Sequence, residues 1–145
     1  MFHKVIVVDQ KKKTESEILA LFRNLYTDFP KGTISVSESP DFILRSGPKR
    51  KIGIELTRLH RKKSSPGQFS FENIKLNVFR KEEKLGLYRR KRLDEYWLIL
   101  IVRDQEKQPP YNLFNKLMVW QFQTGFNKLF LLNPQHEKIF ELRTY

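Results

Sequence analysis

The spacing of apolar residues changes several times along the chain. Phe2 to Val8 is a short β-branched run of the kind that builds a strand. Thr14-Glu15-Ser16-Glu17 then has the spacing of a capping box, with Thr14 at the N-cap and Glu17 three residues on. Ile18, Leu19, Leu21, Phe22 and Leu25 follow at helical spacing, which predicts a helix ending near Asp28-Phe29-Pro30. Three extended stretches come next: Thr33 to Ser37, Asp41 to Arg45 and Lys51 to Leu59. Ser46-Gly47-Pro48 is turn chemistry, so the second and third stretches are expected to form a hairpin. A basic loop, His60 to Gln68, leads to a pattern rich in Lys, Arg and Glu that predicts one long helix from Phe71 to about Arg92.

Tyr96 to Val102 is a continuous apolar run, the mark of a strand covered on both faces. Pro109-Pro110 breaks the chain before a second amphipathic helix, predicted from Leu113 to Phe126. Lys128 to Leu132 and Lys138 to Leu142 read as strands around the Asn133-Pro134 turn. Helix, three strands, helix, strand, helix, strands is an α/β pattern with mixed strand directions. At 145 residues the expectation is one domain, spanning 1–145.

Composition narrows the class. Apolar residues make up 39% of the chain and there are twelve Phe, enough for a packed core. No apolar run approaches the roughly 20 residues of a membrane span. Lys11-Lys12-Lys13 follows the first apolar stretch instead of preceding it, which is not the layout of a signal peptide. A cytoplasmic protein without a membrane partner is expected. The absence of cysteine excludes disulfides, thiolate metal sites and cysteine nucleophiles.

Charge changes the picture more. The formal net charge is +12, and Lys49 to Arg92 holds 15 Lys and Arg against four Glu. A basic field concentrated in this way attracts polyanions, of which nucleic acid is the most common in a cell. Arg58, His60, Arg61, Lys62 and Lys63 in the loop, and Arg89 and Arg90 with Lys91 and Arg92, are the candidate phosphate contacts.

The candidate chemistry lies in the hairpin. Period two places Phe42 and Leu44 on one face of their strand and Ile52, Ile54 and Leu56 on one face of theirs. A hairpin symmetric about Pro48 sets Phe42 opposite Ile54, Leu44 opposite Ile52, and Asp41 opposite Glu55 on the other face. Cross-strand Cβ atoms lie about 4.5 to 5.5 Å apart, and like charges so placed are destabilising. Two carboxylates at that distance call for a cation, and Mg²⁺ takes one or two carboxylates plus water and substrate phosphate.

At these residues the sequence resembles the PD-(D/E)xK nuclease superfamily, the restriction-endonuclease-like fold. Pro40-Asp41 matches its first element, and Glu55-Leu56-Thr57 matches the second in its acid only. The resemblance implies a central mixed sheet flanked by helices with an α-β-β-β-α-β core, covering roughly Thr14 to Val102. It also implies Asp41 and Glu55 as ligands of Mg²⁺ or Mn²⁺, with a helical acid completing the set. Glu17 is the first candidate for that acid, with Glu15 and Glu38 behind it. Thr57 stands where the family has Lys, and superfamily members are known to supply that Lys from the following helix. Lys81, on the apolar stripe Ile74, Val78, Leu85, and Lys84 beside it are the two candidates, with no choice made between them.

The resulting expectation is a metal-dependent endonuclease acting on nucleic acid, DNA first, and homodimerisation is within the family's habits. The alternative is an inactive nuclease-like module that binds nucleic acid or a protein partner through its basic face. His3, His60 and His136 lack zinc-site spacing, and no Walker A, dinucleotide-binding or nucleophile-elbow pattern is present. Trp97, Trp120 and Phe126 are expected in the core.

Overall fold

The computed structural model describes residues 2–60, 70–102 and 113–145, with the side chains of 2–11, 113 and 114 outside the description. The chain opens with a 24-residue helix, α1 (Phe2–Leu25). Then come β1 (Thr33–Val36), β2 (Phe42–Ser46), β3 (Arg50–Arg58), α2 (Phe71–Glu82), α3 (Leu85–Arg89) and β4 (Glu95–Ile101). It closes with α4 (Leu113–Val119), β5 (Gln121–Phe122), β6 (Lys128–Asn133) and β7 (Lys138–Thr144). The class is α/β: a mixed seven-stranded sheet of order β1-β2-β3-β4-β6-β7-β5 with helices on both faces.

The first three strands form an antiparallel meander, and β4 joins β3 in parallel after the α2–α3 crossover. The β2–β3 register pairs Phe42 with Ile54 and Leu44 with Ile52, as in a hairpin symmetric about Pro48. Gly47 takes the turn at φ 76°, a left-handed conformation that favours glycine. Alternation along the strands splits the core in two. Phe42, Leu44, Ile52, Ile54, Trp97, Ile99 and Phe130 pack against Leu19 and Phe22 of α1. Leu98, Leu100, Leu129 and Leu131 point the other way, onto Ile74 and Val78 of α2, Leu85 and Tyr88 of α3, and Leu117 of α4. The continuous apolar run in β4 is therefore covered on both sides, as expected. Trp97 and Phe126 are buried, while Trp120 is half-buried against Phe71.

Three elements differ from expectation. Phe2–Val8 is the first third of α1, not a strand, and Thr14 lies inside that helix instead of capping it. No Gly or Pro interrupts the chain from Phe2 to Leu25, and β-branched residues cost a helix only about 0.5 kcal/mol each. The long helix predicted for 71–92 is two: it stops at Glu82, and a turn at Glu83 and Lys84 restarts it as α3. The helix predicted for 113–126 ends at Val119, after which Gln121 and Phe122 pair with Arg143 and Thr144 of β7. The β-branched and aromatic residues of 119–122, Val-Trp-Gln-Phe, favour a strand over a helix, and pairing along β7 engages the backbone of Gln121 and Phe122. Pro109-Pro110 lies outside the described residues. Among the described residues no helix is long and apolar enough to cross a membrane.

Candidate functional site

Asp41 immediately precedes β2 and Glu55 sits in the middle of β3. Their positions follow from the register: with Phe42 and Ile54 paired toward α1, their neighbours face α2 and α3. The backbone N–H of Asp41 donates to Glu55 Oε1 at 3.2 Å, and that of Leu56 donates to Asp41 Oδ2 at 2.9 Å. Pro40 before Asp41 leans on Gly53 of β3. A Cβ there would lie 2.8 Å from Pro40 Cγ and 2.6 Å from Leu93 Cδ1, so only glycine admits the close approach.

Glu55 is 2% exposed, and its other oxygen is met by three donors from the helical layer. The Tyr88 hydroxyl donates to Oε2 at 2.5 Å, and the ammonium groups of Lys81 and Lys84 lie 3.7 and 3.8 Å from the same atom. The turn between α2 and α3 separates the helices carrying Lys81 and Tyr88, with Lys84 in the turn itself. Thr57, at the position where a Lys was missing, is buried on the same face and lines the same cleft. Both lysines weighed for that place therefore reach the carboxylate.

The electrostatics follow from burial. Partial burial, with the hydrogen bond and charge of Glu55, pushes the Asp41 carboxyl up to about 6, against the pull of the Leu56 N–H and Lys12. Burial draws the Lys81 ammonium below its ordinary range; Glu55 opposes this and Lys84 reinforces it. The Tyr88 hydroxyl is pushed far above the usual phenol range, first by burial and then by Glu55, so it stays a donor at any working pH.

Asp41, Glu55, Lys81 and Lys84 line an open cleft of about 760 Å³ together with Glu15, Glu38, Arg58 and His60. Asn77 of α2 holds the backbone of His60, which lines the cleft. Its Oδ1 accepts the His60 N–H at 3.1 Å, and its Nδ2 donates to the His60 carbonyl at 2.9 Å. A larger hollow of about 900 Å³ lies on another side of α2, lined by Phe71, Phe79, Phe122 and Tyr145, and contains no carboxylate pair fixed in this way.

The structure thus brings Asp41, Glu55, Lys81, Lys84, Arg58 and His60 into one cleft. Glu17 is exposed and does not line it, whereas Glu15 does. Lys12, Glu15, Leu19 and Phe22 form one stripe of α1, which a helix begun at Thr14 conceals. Arg89 and Arg90 are exposed at the end of α3, and Lys91 beyond them donates to Ser37 Oγ at 2.7 Å. Arg61, Lys62 and Lys63 lie outside the described residues. Sequence reasoning missed Tyr88 and Lys12. Tyr88 carried a signal, since it continues the stripe of Lys81 and Leu85 by further i+3 and i+4 steps.

Among the described residues no group of three or more His, Asp or Glu is gathered to hold a metal, so the protein's own share would be the two carboxylates. Two hard oxygen donors fit Mg²⁺ or Mn²⁺, which complete their shells with water and phosphate. No family model, curated protein or solved structure matches the chain.

Proposed function

We propose that the protein is a nuclease of restriction-endonuclease-like architecture that hydrolyses nucleic-acid phosphodiesters, DNA in the first instance, with Mg²⁺ or Mn²⁺. The observation carrying this reading is the contact of Asp41 and Glu55 across one hairpin, with Lys81 and Lys84 converging on Glu55 in an open cleft. The element order α1, β1-β2-β3, α2–α3, β4 supports it, since an α-β-β-β-α-β core is what the resemblance implies.

Asp41 and Glu55 would hold the ion. When bound, it supplies polarisation of the phosphate and a lower pKa for an attacking water. Lys81, whose ammonium is the more buried and whose proton affinity burial lowers, is suited to orient that water beside Glu55. Lys84 and Arg58, which line the same cleft, would offset the charge that builds on the phosphoryl oxygens. Arg89, Arg90 and the basic loop would hold the backbone of the nucleic acid.

The test is cleavage of supercoiled plasmid and of single-stranded DNA with Mg²⁺ or Mn²⁺, beside EDTA and Asp41→Asn controls. Metal-dependent cutting that vanishes in Asp41→Asn supports the nuclease. Binding without cutting, unmoved by EDTA, refutes it.

One observation favours a second reading, an inactive module that binds nucleic acid or a protein partner. Each carboxylate already has ammonium neighbours from the chain itself, Lys12 for Asp41 and Lys81 with Lys84 for Glu55. On this reading the cleft is a structural ion-pair network and the basic face alone is functional.

A further inference from the structure

Lys12 touches three groups at once. Its ammonium donates to the Ser37 carbonyl at 2.9 Å, and lies 3.3 Å from Glu15 Oε2 and 3.7 Å from Asp41 Oδ1. The other oxygen of Asp41 is engaged by the Leu56 N–H. Oδ1 is thus the oxygen left to meet a cation, and Lys12 stands against it. A divalent ion drawn to the same oxygen would face an ammonium at close range, and like charges so placed oppose one another. The side chain is 29% exposed and carries a flexible four-carbon stem, so it has room to swing away.

We propose that Lys12 is a tethered counter-ion for Asp41, which a divalent cation must displace from Oδ1, so that α1 sets the metal affinity of the cleft. The inference rests on the metal site proposed above. It makes Lys12 a positioning residue with an unusual sign. A lysine that merely clamped the 37–41 turn onto α1 would, once removed, loosen Asp41 and weaken metal binding. A displaced counter-ion, once removed, strengthens it.

The experiment is isothermal titration of the full chain with Mn²⁺ alone at low ionic strength. It compares wild type, Lys12→Met, Lys12→Gln and Lys12→Arg, with Asp41→Asn as the blank and thermal melts to confirm folding. The expected result is that Lys12→Met and Lys12→Gln bind Mn²⁺ roughly tenfold more tightly than wild type, while Lys12→Arg stays near wild type. Wild-type binding with unchanged or weaker binding in folded Lys12→Gln overturns the counter-ion role and leaves the metal site standing. Absence of binding in wild type and in both neutral variants overturns the metal site, and the role of Lys12 with it.

Discussion

Asp41 and Glu55 are cross-linked reciprocally. Glu55 Oε1 accepts the backbone N–H of Asp41, and Asp41 Oδ2 accepts the backbone N–H of Leu56, next to Glu55. Each carboxylate is held by the other's strand, so neither can turn without releasing a hydrogen bond. The arrangement holds two acids together at a stability cost that is readable in the raised proton affinity of Asp41.

Asp41→Asn is expected to abolish metal-dependent cleavage and to stabilise the fold at neutral pH. The sign follows from linkage. The folded carboxyl is pushed up to about 6, against 3.8 for an ordinary aspartate. The folded state therefore binds the extra proton, and stability falls as pH rises between those values. The full cost is present above about pH 6, where the amide has none. With Asp41 partly exposed, the gain is about 1 to 2 kcal/mol. Urea melts at pH 4.5 and pH 8 check it: wild type should lose stability relative to Asp41→Asn only on going to the higher pH.

Lys81 and Lys84 should separate kinetically. Lys81→Ala removes the more buried ammonium and is expected to lower kcat roughly 100-fold or more, whereas Lys84→Ala, at a half-exposed position, should cost roughly tenfold. Single-turnover cleavage rates check the order. Equal losses would remove the distinction between the two roles.

Tyr88→Phe deletes the hydroxyl that donates to a buried carboxylate oxygen while keeping the ring stacked near Tyr96. Glu55 is then left short of a donor, at a cost of about 1 to 3 kcal/mol. Chemical denaturation measures the loss, and a fall in Mn²⁺ affinity should accompany it because Glu55 is no longer fixed in one rotamer.

Nucleic-acid binding should weaken steeply with salt, with a log–log slope of about −0.9 for each duplex phosphate neutralised. Arg58→Ala and Arg90→Ala, both exposed, should each reduce that slope by about one without changing sequence preference. Fluorescence anisotropy across a salt series decides this. A flat dependence would point to a protein partner for the basic face.

The hairpin was legible because two independent signals agree on it: period two in residues 42–56, and turn chemistry at Ser46-Gly47-Pro48. Those signals leave the register open; symmetry about Pro48 was an added supposition, and the observed pairing agrees with it and with the meeting of Asp41 and Glu55. The strand around Trp97 was legible from its apolar run, and that around Phe130 from its place before the Asn133-Pro134 turn. Residues 2–8 were not, because a β-branched run describes a local preference that an uninterrupted helical stretch overrides. That one misreading had a functional consequence. Starting the helix at Thr14 put Glu17 forward as the helical acid and left Lys12 in a linker, whereas the observed stripe runs Lys12, Glu15, Leu19, Phe22. The α2–α3 turn was equally hidden, since no Gly or Pro marks Glu83 and Lys84; burial of Leu85 and Tyr88 accompanies it, with Lys84 and Tyr88 both reaching Glu55.

The cluster of Glu55, Lys81, Lys84 and Tyr88, buried at Glu55 and Tyr88 and half-exposed at Lys84, has a consequence for any attempt to harden this protein against heat. Apolar replacements of similar volume for such clusters are often neutral or gain about 1 to 4 kcal/mol, whereas Val78, Leu85 and Leu98 on the same face of the sheet are already apolar and buried. A library sorted only for survival at high temperature would therefore discard these polar side chains early and keep their apolar neighbours. The positions lost first in such a selection would trace the outline of the cleft.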